Sequence, residues 1–281
     1  MKKLFYFLPI FISVCLFTAC SSDDDNDPPA PDPTPLIAKM ERPNGMTFTY
    51  DYTAEGTVKT LKKEDGGKTS VETFSYGSNG ALVKVEKKES NVLLNSTEFV
   101  YDGTKVIATY SEYFEGAVSD TKVYTLQLNG DKLTESTLNT TGGMPGATFT
   151  IKVVSSYTYD ANGNMKKLTS KTYFDDVLNE TYNTTSEYEY DSNKSFIGKE
   201  ILPYWYCIFS GTERFGIYPG YINNPSKSTT TALNWMGIPE TLILKYVYEY
   251  NDKLYPTSVY SLLPIEGADD IKTDMFTFTY K

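Results

Sequence analysis

The residues that could do chemistry in this chain are defined first by an absence: 281 residues include no histidine. A serine or cysteine nucleophile relies on an imidazole to take its proton, and imidazole is also the commonest zinc ligand. Carboxylate chemistry survives, because a glycosidase needs only two acids at a set separation across the scissile bond. The adjacent acids Glu64-Asp65, Asp175-Asp176 and Asp269-Asp270 fall at expected turns. Neighbouring acids there serve as solvated turn residues, whereas catalytic acids are expected singly, brought together in a cleft. The sequence therefore points away from an enzyme. No cofactor or metal is expected either: Asp23-Asp24-Asp25 lacks the spaced ligands and glycine of a calcium loop.

Binding is the chemistry that the aromatic residues allow. Tyr204, Trp205, Tyr206, Tyr218, Tyr221 and Trp235 could offer flat apolar faces to sugar rings from loops held on a rigid sheet. The competing reading is that these rings cap the end of the sheet and fill its core. Of three cysteines, Cys15 and Cys20 lie at the amino end, which leaves Cys207 alone, with no intramolecular disulfide, as a small buried hydrophobe.

The elements that must position these rings are strands. An aromatic-x-aromatic pattern recurs at Phe74-Ser75-Tyr76, Phe99-Val100-Tyr101, Tyr157-Thr158-Tyr159, Tyr188-Glu189-Tyr190, Tyr248-Glu249-Tyr250 and Phe276-Thr277-Phe278-Thr279-Tyr280. Residues two apart share one face of a strand, so each motif plants two rings side by side. Turn signals follow every ~10 to 15 residues, among them Glu55-Gly56, Asp65-Gly66-Gly67, Asn79-Gly80, Ser90-Asn91, Asp102-Gly103, Glu115-Gly116, Asn129-Gly130 and Asn162-Gly163. Between them the sequence alternates: Val83 and Val85 are expected on a buried face, opposite Lys84 and Glu86 on a wet one. The expectation is an all-β fold, a long curved antiparallel meander of about 14–17 strands wrapped into a partial barrel, with little helix. The beat breaks between residues 201 and 225, an irregular aromatic insertion.

Several segments resemble known families. Lys2-Lys3, the apolar run Leu4 to Phe17 and Thr18-Ala19-Cys20 form a secretory signal, too short at about 14 apolar residues to span a bilayer. Its end resembles the lipobox of bacterial lipoproteins, which implies cleavage before Cys20 and lipid on its thiol. Ser21-Ser22-Asp23-Asp24-Asp25-Asn26-Asp27 resembles the acidic export signal of Bacteroidota surface lipoproteins, implying the outer membrane with the body facing outward. Pro28, Pro29, Pro31, Pro33 and Pro35 then stiffen a linker. The expected organisation is a signal peptide over 1–19, a lipidated tether over 20–35 and one β domain over 36–281. Tyr159-Asp160-Ala161-Asn162-Gly163-Asn164-Met165 looks like the YD repeat of the RHS family, whose hairpins wind into a curved sheet. Together with the aromatic break, Asn223-Asn224-Pro225 and Tyr255-Pro256-Thr257, the chain resembles Bacteroidota domains of unknown function of the DUF4595 kind. Leu254 stands where the turn before Tyr255 calls for glycine.

Charge narrows the partners. The net charge of −10 becomes −12 once residues 1–19 leave with Lys2 and Lys3 and no acid. Phosphate backbones are bound by lysine and arginine, so nucleic acid is not an expected partner. A transmembrane barrel is disfavoured, since Lys84, Glu86, Lys88, Lys167 and Lys171 would face lipid. The expectation is a membrane-anchored protein that binds a glycan or an envelope protein without catalysis.

Overall fold

The computed structural model describes residues 35–144, 147–197, 201–210, 220, 222–234, 236–265 and 267–281. The signal segment, Cys20 and the acidic and proline-rich tether lie outside the described residues, as do Tyr218, Tyr221 and Trp235. The described chain is a meander of 16 antiparallel strands that closes on itself. Its strands are β1 (Ile37–Glu41), β2 (Thr47–Tyr52), β3 (Val58–Asp65), β4 (Lys68–Tyr76), β5 (Leu82–Glu89), β6 (Val92–Asp102), β7 (Lys105–Phe114) and β8 (Ala117–Asn129). They continue as β9 (Lys132–Met144), β10 (Ala147–Tyr159), β11 (Met165–Phe174), β12 (Val177–Lys194), β13 (Asn223–Leu233), β14 (Pro239–Tyr250), β15 (Pro256–Leu263) and β16 (Ile271–Tyr280). A short helix α1 (Tyr204–Phe209) sits between β12 and β13. Each strand pairs with its neighbours in sequence, and β1 pairs with β16, Ile37 opposite Tyr280 and Met40 opposite Phe278. The expected partial barrel is thus a complete one, with no strand edge left unpaired.

Two kinds of turn join the strands. At one end, two-residue turns place both central residues at positive φ: Gly66 and Gly67 at 55° and 83°, Ser90 and Asn91 at 49° and 67°, Asp175 and Asp176 at 48° and 63°. This is the hairpin geometry whose twist matches that of the flanking strands. Longer turns, most of them at the other end, repeat one hydrogen-bond pattern. Thr53 N donates to Thr57 O and Gly56 N to Thr53 O; Gly77 N to Ala81 O and Gly80 N to Gly77 O; Asp160 N to Asn164 O and Gly163 N to Asp160 O. The fourth residue of each sits at positive φ, which glycine adopts freely. Leu254 fills that place in the turn before β15, at φ 65°, where its Cβ is strained.

A register shift accompanies four of the long turns, between Asp51 and Tyr52, Ser75 and Tyr76, Thr158 and Tyr159, and Glu249 and Tyr250. The extra residue displaces simple alternation. On β5 this corrects the expected pairing of Val83 with Val85: Leu82, fully buried, shares the inner face with Val85, and Val83 is only half-buried. Val58 with Leu61 repeats the three-residue spacing on β3. The second ring of the aromatic motif then closes a girdle around this end. Tyr52 Oη donates to Ile37 O at 2.6 Å, Tyr76 to Val58 O at 2.8 Å, and Tyr101 to Leu82 O at 2.8 Å. Tyr159 donates to Leu133 O at 2.5 Å, Tyr190 to Met165 O at 2.6 Å, and Tyr280 to Pro256 O at 2.8 Å. In each case a strand's last tyrosine ties down the carbonyl at or near the start of the strand before it.

The outer wall is wet. Lys62 pairs with Glu64 at 2.8 Å, Lys84 with Glu98 at 3.2 Å, Lys167 with Glu187 at 3.1 Å and Lys227 with Glu189 at 2.8 Å, all on faces opposite the core rows. Threonines fill the rows between them, for example Thr60 opposite Thr73 and Thr169 opposite Thr185. Lysine near a bilayer midplane costs about 2–4 kcal/mol, so these charged rows disfavour contact with lipid.

Candidate functional site

The tyrosine end of the barrel is sealed by α1 and the segment leading into it. Val58 N donates to Ile201 O at 3.0 Å and Met165 N to Tyr204 Oη at 3.1 Å, so the plug is pinned to the starts of β3 and β11. Ile201, Leu202 and residues 204–208 are all buried. Phe99 stands at the centre of a cluster of edge-on rings, 5.2 Å from Trp205, 5.7 Å from Tyr206 and 6.3 Å from Phe209; Tyr124 meets Phe209 at 5.1 Å. Such contacts add about 0.5–1.5 kcal/mol each beyond the area they bury.

This places the sequence-predicted aromatic residues. Tyr204, Trp205 and Tyr206 are 3–5 % exposed, so they cap the sheet and fill its core and present no open platform to a sugar. Burial raises the Tyr204 hydroxyl far above its ordinary pKa. Cys207 is buried in the same plug, as a small apolar side chain. After the insertion, β13 begins at Asn223. Asn223 and Asn224 belong to a buried polar network that fixes this junction. Asn164, wholly buried, donates to Asp160 Oδ2 and Asn223 Oδ1 and accepts from the amides of Ile222 and Asn223. Asn224 donates to Lys194 O and accepts from Phe196 N, while Asp191 accepts from Asn224 N and the Tyr250 hydroxyl. Tyr250 thereby serves the junction and not the girdle that its motif leads one to expect.

Above the plug the interior stays open, as a cavity of about 430 Å³ whose floor is Tyr206, Phe209 and Ser210. Its walls come from β2 to β8, whose inner faces change character along their length. Near the plug they carry Leu61, Phe74, Val85, Phe99 and Leu126, all buried. One or two inward positions further on they carry Lys63, Glu72, Lys87, Asn95, Glu112 and Lys122 around the cavity. Register sets these groups side by side: Glu72 opposite Lys87, Lys87 opposite Asn95, Asn95 opposite Glu112, Tyr110 opposite Lys122. Lys63 pairs with Asp65 at 3.2 Å, and Lys122 with Asp120 at 3.4 Å and Glu112 at 3.8 Å. The Arg42 guanidinium lies 4.7 Å from the centre of the Phe276 ring. The sequence reading missed these residues because it assigned charged positions to the outer face. The signal was present: Leu61-x-Lys63-x-Asp65, Val85-x-Lys87-x-Glu89 and Ser70-x-Glu72-x-Phe74 each run from apolar to charged on one face.

The mouth of this cavity is ringed by hairpin tips that carry exposed apolar side chains: Phe114 and Val177 at 70 % exposure, with Val118, Tyr182, Ile238 and Ile271. Two acid pairs sit on these hairpins and Glu64-Asp65 on the β3–β4 hairpin, as turn and strand-end residues. Glu64 pairs with Lys62 on the outer wall, Asp175 Oδ1 accepts from the amide and hydroxyl of Thr150, and Asp270 pairs with Lys245 at 3.6 Å. Among the described residues no group of three or more acids or cysteines could hold a metal ion.

No family model matches the chain, and no curated protein matches it. Among solved structures, a porin-like protein from Bacteroides uniformis aligns over 87% of this chain and 98% of its own at 14% identity and a TM-score of 0.38. A porin-like protein from Bacteroides vulgatus aligns over 88% and 99% at 12% identity and a TM-score of 0.42. A chain of the Photorhabdus luminescens Tc holotoxin pore aligns over 83% of this chain and 15% of its own, at 9% identity and a TM-score of 0.25. These are what the chain is similar to, at levels that carry no inference about what it does.

Proposed function

We propose that this protein is an outer-membrane surface lipoprotein, held through lipid on Cys20, whose body is a non-catalytic binding barrel that receives a small ligand through its open mouth. The observation that carries the reading is the cavity itself: enclosed by strands, floored by the α1 rings and lined by charged and neutral polar side chains. Binding pockets combine concavity with a few convergent polar groups in this way, at volumes of about 300–1,000 Å³. The paired lysines and glutamates of the outer wall favour a body that stands in water and reaches the membrane only by its tether. Leu36 and Lys281 meet at the plugged end, where Lys281 N donates to Leu36 O at 2.8 Å.

Two experiments test the reading. Replacing Cys20 by alanine should release the protein from the membrane fraction of the producing cell; full retention would show that lipid on Cys20 is not the anchor. A Lys87→Cys body should react with a small maleimide at a rate like that of an exposed thiol, while Cys207, sealed in the plug, stays unmodified. No reaction at position 87 in the folded body would show that the cavity is closed to ligands.

A further inference from the structure

Resting on the binding-barrel reading, we propose that the cavity selects a small acidic saccharide, with its carboxylate held by Lys87 and Arg42 and its ring lying over the part-exposed Phe209 of the floor. Four cations and two acids line the cavity among the described residues, in a chain whose net charge is −10. Among the described lining residues cations thus outnumber acids, the reverse of the balance in the molecule as a whole. Not all of it is available. Lys63 and Lys122 are already paired with acids, as above. Lys87 and Arg42 are different: neither makes an ion pair with a carboxylate of the described residues. Stacking on Phe276 fixes the Arg42 plane and leaves the N–H edge of the guanidinium unused. Lys87 faces Glu72 across the β4–β5 pair without an ion pair to it; cations that hold no carboxylate directly are the groups that a bound anion completes, and charge-assisted hydrogen bonds are the strong ones.

The remaining lining says what the anion is attached to. Ser70, Asn95, Thr97, Tyr110 and Ser210 put neutral donors and acceptors around the same space. Tyr110 and Ser210 are engaged with Glu112 and the Cys207 carbonyl; the density of hydroxyl and amide groups suits a polyhydroxylated ring better than a fatty or aromatic acid, which offers them fewer partners. The floor supplies the apolar surface that the C–H face of a sugar needs: Phe209 borders the cavity while its edge-on contacts with Phe99 and Tyr124 hold it in the plug. The volume of about 430 Å³ admits one or two sugar units.

The barrel body, whose strands are all paired on both sides, is titrated calorimetrically with digalacturonate, its neutral counterpart galactobiose and sodium acetate. Digalacturonate is expected to bind, to weaken with added salt and to compete with neither control. Lys87→Met and Arg42→Gln are each expected to weaken it about tenfold or more, as for loss of a hydrogen bond to a charged group. Lys171→Met, on the outer wall, should leave it unchanged, and Lys87→Glu, which keeps a charged group in the same polar site, should abolish it. Galactobiose binding as tightly and insensitive to Lys87→Met would overturn the acidic selectivity while leaving a binding barrel in place. Acetate binding as tightly as digalacturonate would overturn the saccharide. No binding of any probe to a body whose Lys87→Cys variant is freely labelled would overturn this inference alone; no labelling would remove the binding barrel as well.

Discussion

Replacing Tyr76 or Tyr190 by phenylalanine removes one hydroxyl and keeps the ring, so it isolates the bond by which a strand's last tyrosine secures the preceding strand. The Tyr76 hydroxyl donates to Val58 O at 2.8 Å and the Tyr190 hydroxyl to Met165 O at 2.6 Å; both acceptor residues are fully buried. Losing such a bond, with the carbonyl left short of a partner, costs about 1–2 kcal/mol. For a body of this length, each kcal/mol lowers the melting temperature by about 2–4 °C. Tyr76 is on β4 and Tyr190 on β12, eight strands apart in a closed ring of 16. The two sites share no partner, so the double variant should lose the sum, about 2–4 kcal/mol. Tyr248 is the internal control: its hydroxyl is buried with no hydrogen-bond partner among the described residues. Tyr248→Phe removes a desolvated, unsatisfied group and should leave stability unchanged or raise it by up to about 1 kcal/mol. Calorimetry or thermal circular dichroism on the four proteins reads all of this. Equal losses at 76, 190 and 248, or none at any, would refute the girdle as a distinct contributor and reduce it to ring packing.

Leu254→Gly should stabilise the body by about 0.5–1 kcal/mol, because the relief of a left-handed residue exceeds glycine's extra unfolded entropy; Leu254 is half exposed, and a lower melting temperature would contradict this. Asn164→Ala should cost about 3 kcal/mol or more, since it strands the partners of a wholly buried amide, and a loss below about 1 kcal/mol in chemical denaturation would show the network to be dispensable. Alkaline pH should unfold the body steeply. Burial pushes the Tyr76 and Tyr101 hydroxyls up to about 12, and those of Tyr52, Tyr159, Tyr190 and Tyr280 higher still. The unfolded chain releases these protons near pH 10 while the folded one keeps them, so the stability is fully present below pH ~10 and declines as pH rises toward 12 and beyond. Tyrosinate absorbance should accordingly appear together with the loss of the circular dichroism signal; ionisation of most tyrosines in a still-folded body would be the contrary result.

The meander was legible because its causes are local. Asn79-Gly80, Asn162-Gly163 and the ring pairs at 74/76, 157/159 and 188/190 state turns and strand faces within a few residues, and every one of these strands is present. Closure was not legible, since Ile37 meets Tyr280 across nearly the whole chain and no short-range pattern encodes that meeting. Val83 was misplaced because a bulge adds one residue to β5, and strict alternation cannot anticipate it. The cavity was hidden for a related reason: alternation separates two faces without saying which is outside, and here both faces are wet over part of their length. Lys84 on the outer wall and Lys87 in the cavity look alike in sequence, and only the bulge and the closure of the sheet set them on opposite sides.

Sedimentation of the body from residue 36 in detergent-free buffer tests the central claim most directly. A water-walled, closed barrel predicts a monodisperse species with an all-β circular dichroism spectrum and no conductance when added to a planar bilayer. A body that stays in solution only with detergent, or that conducts once inserted in the bilayer, would contradict it.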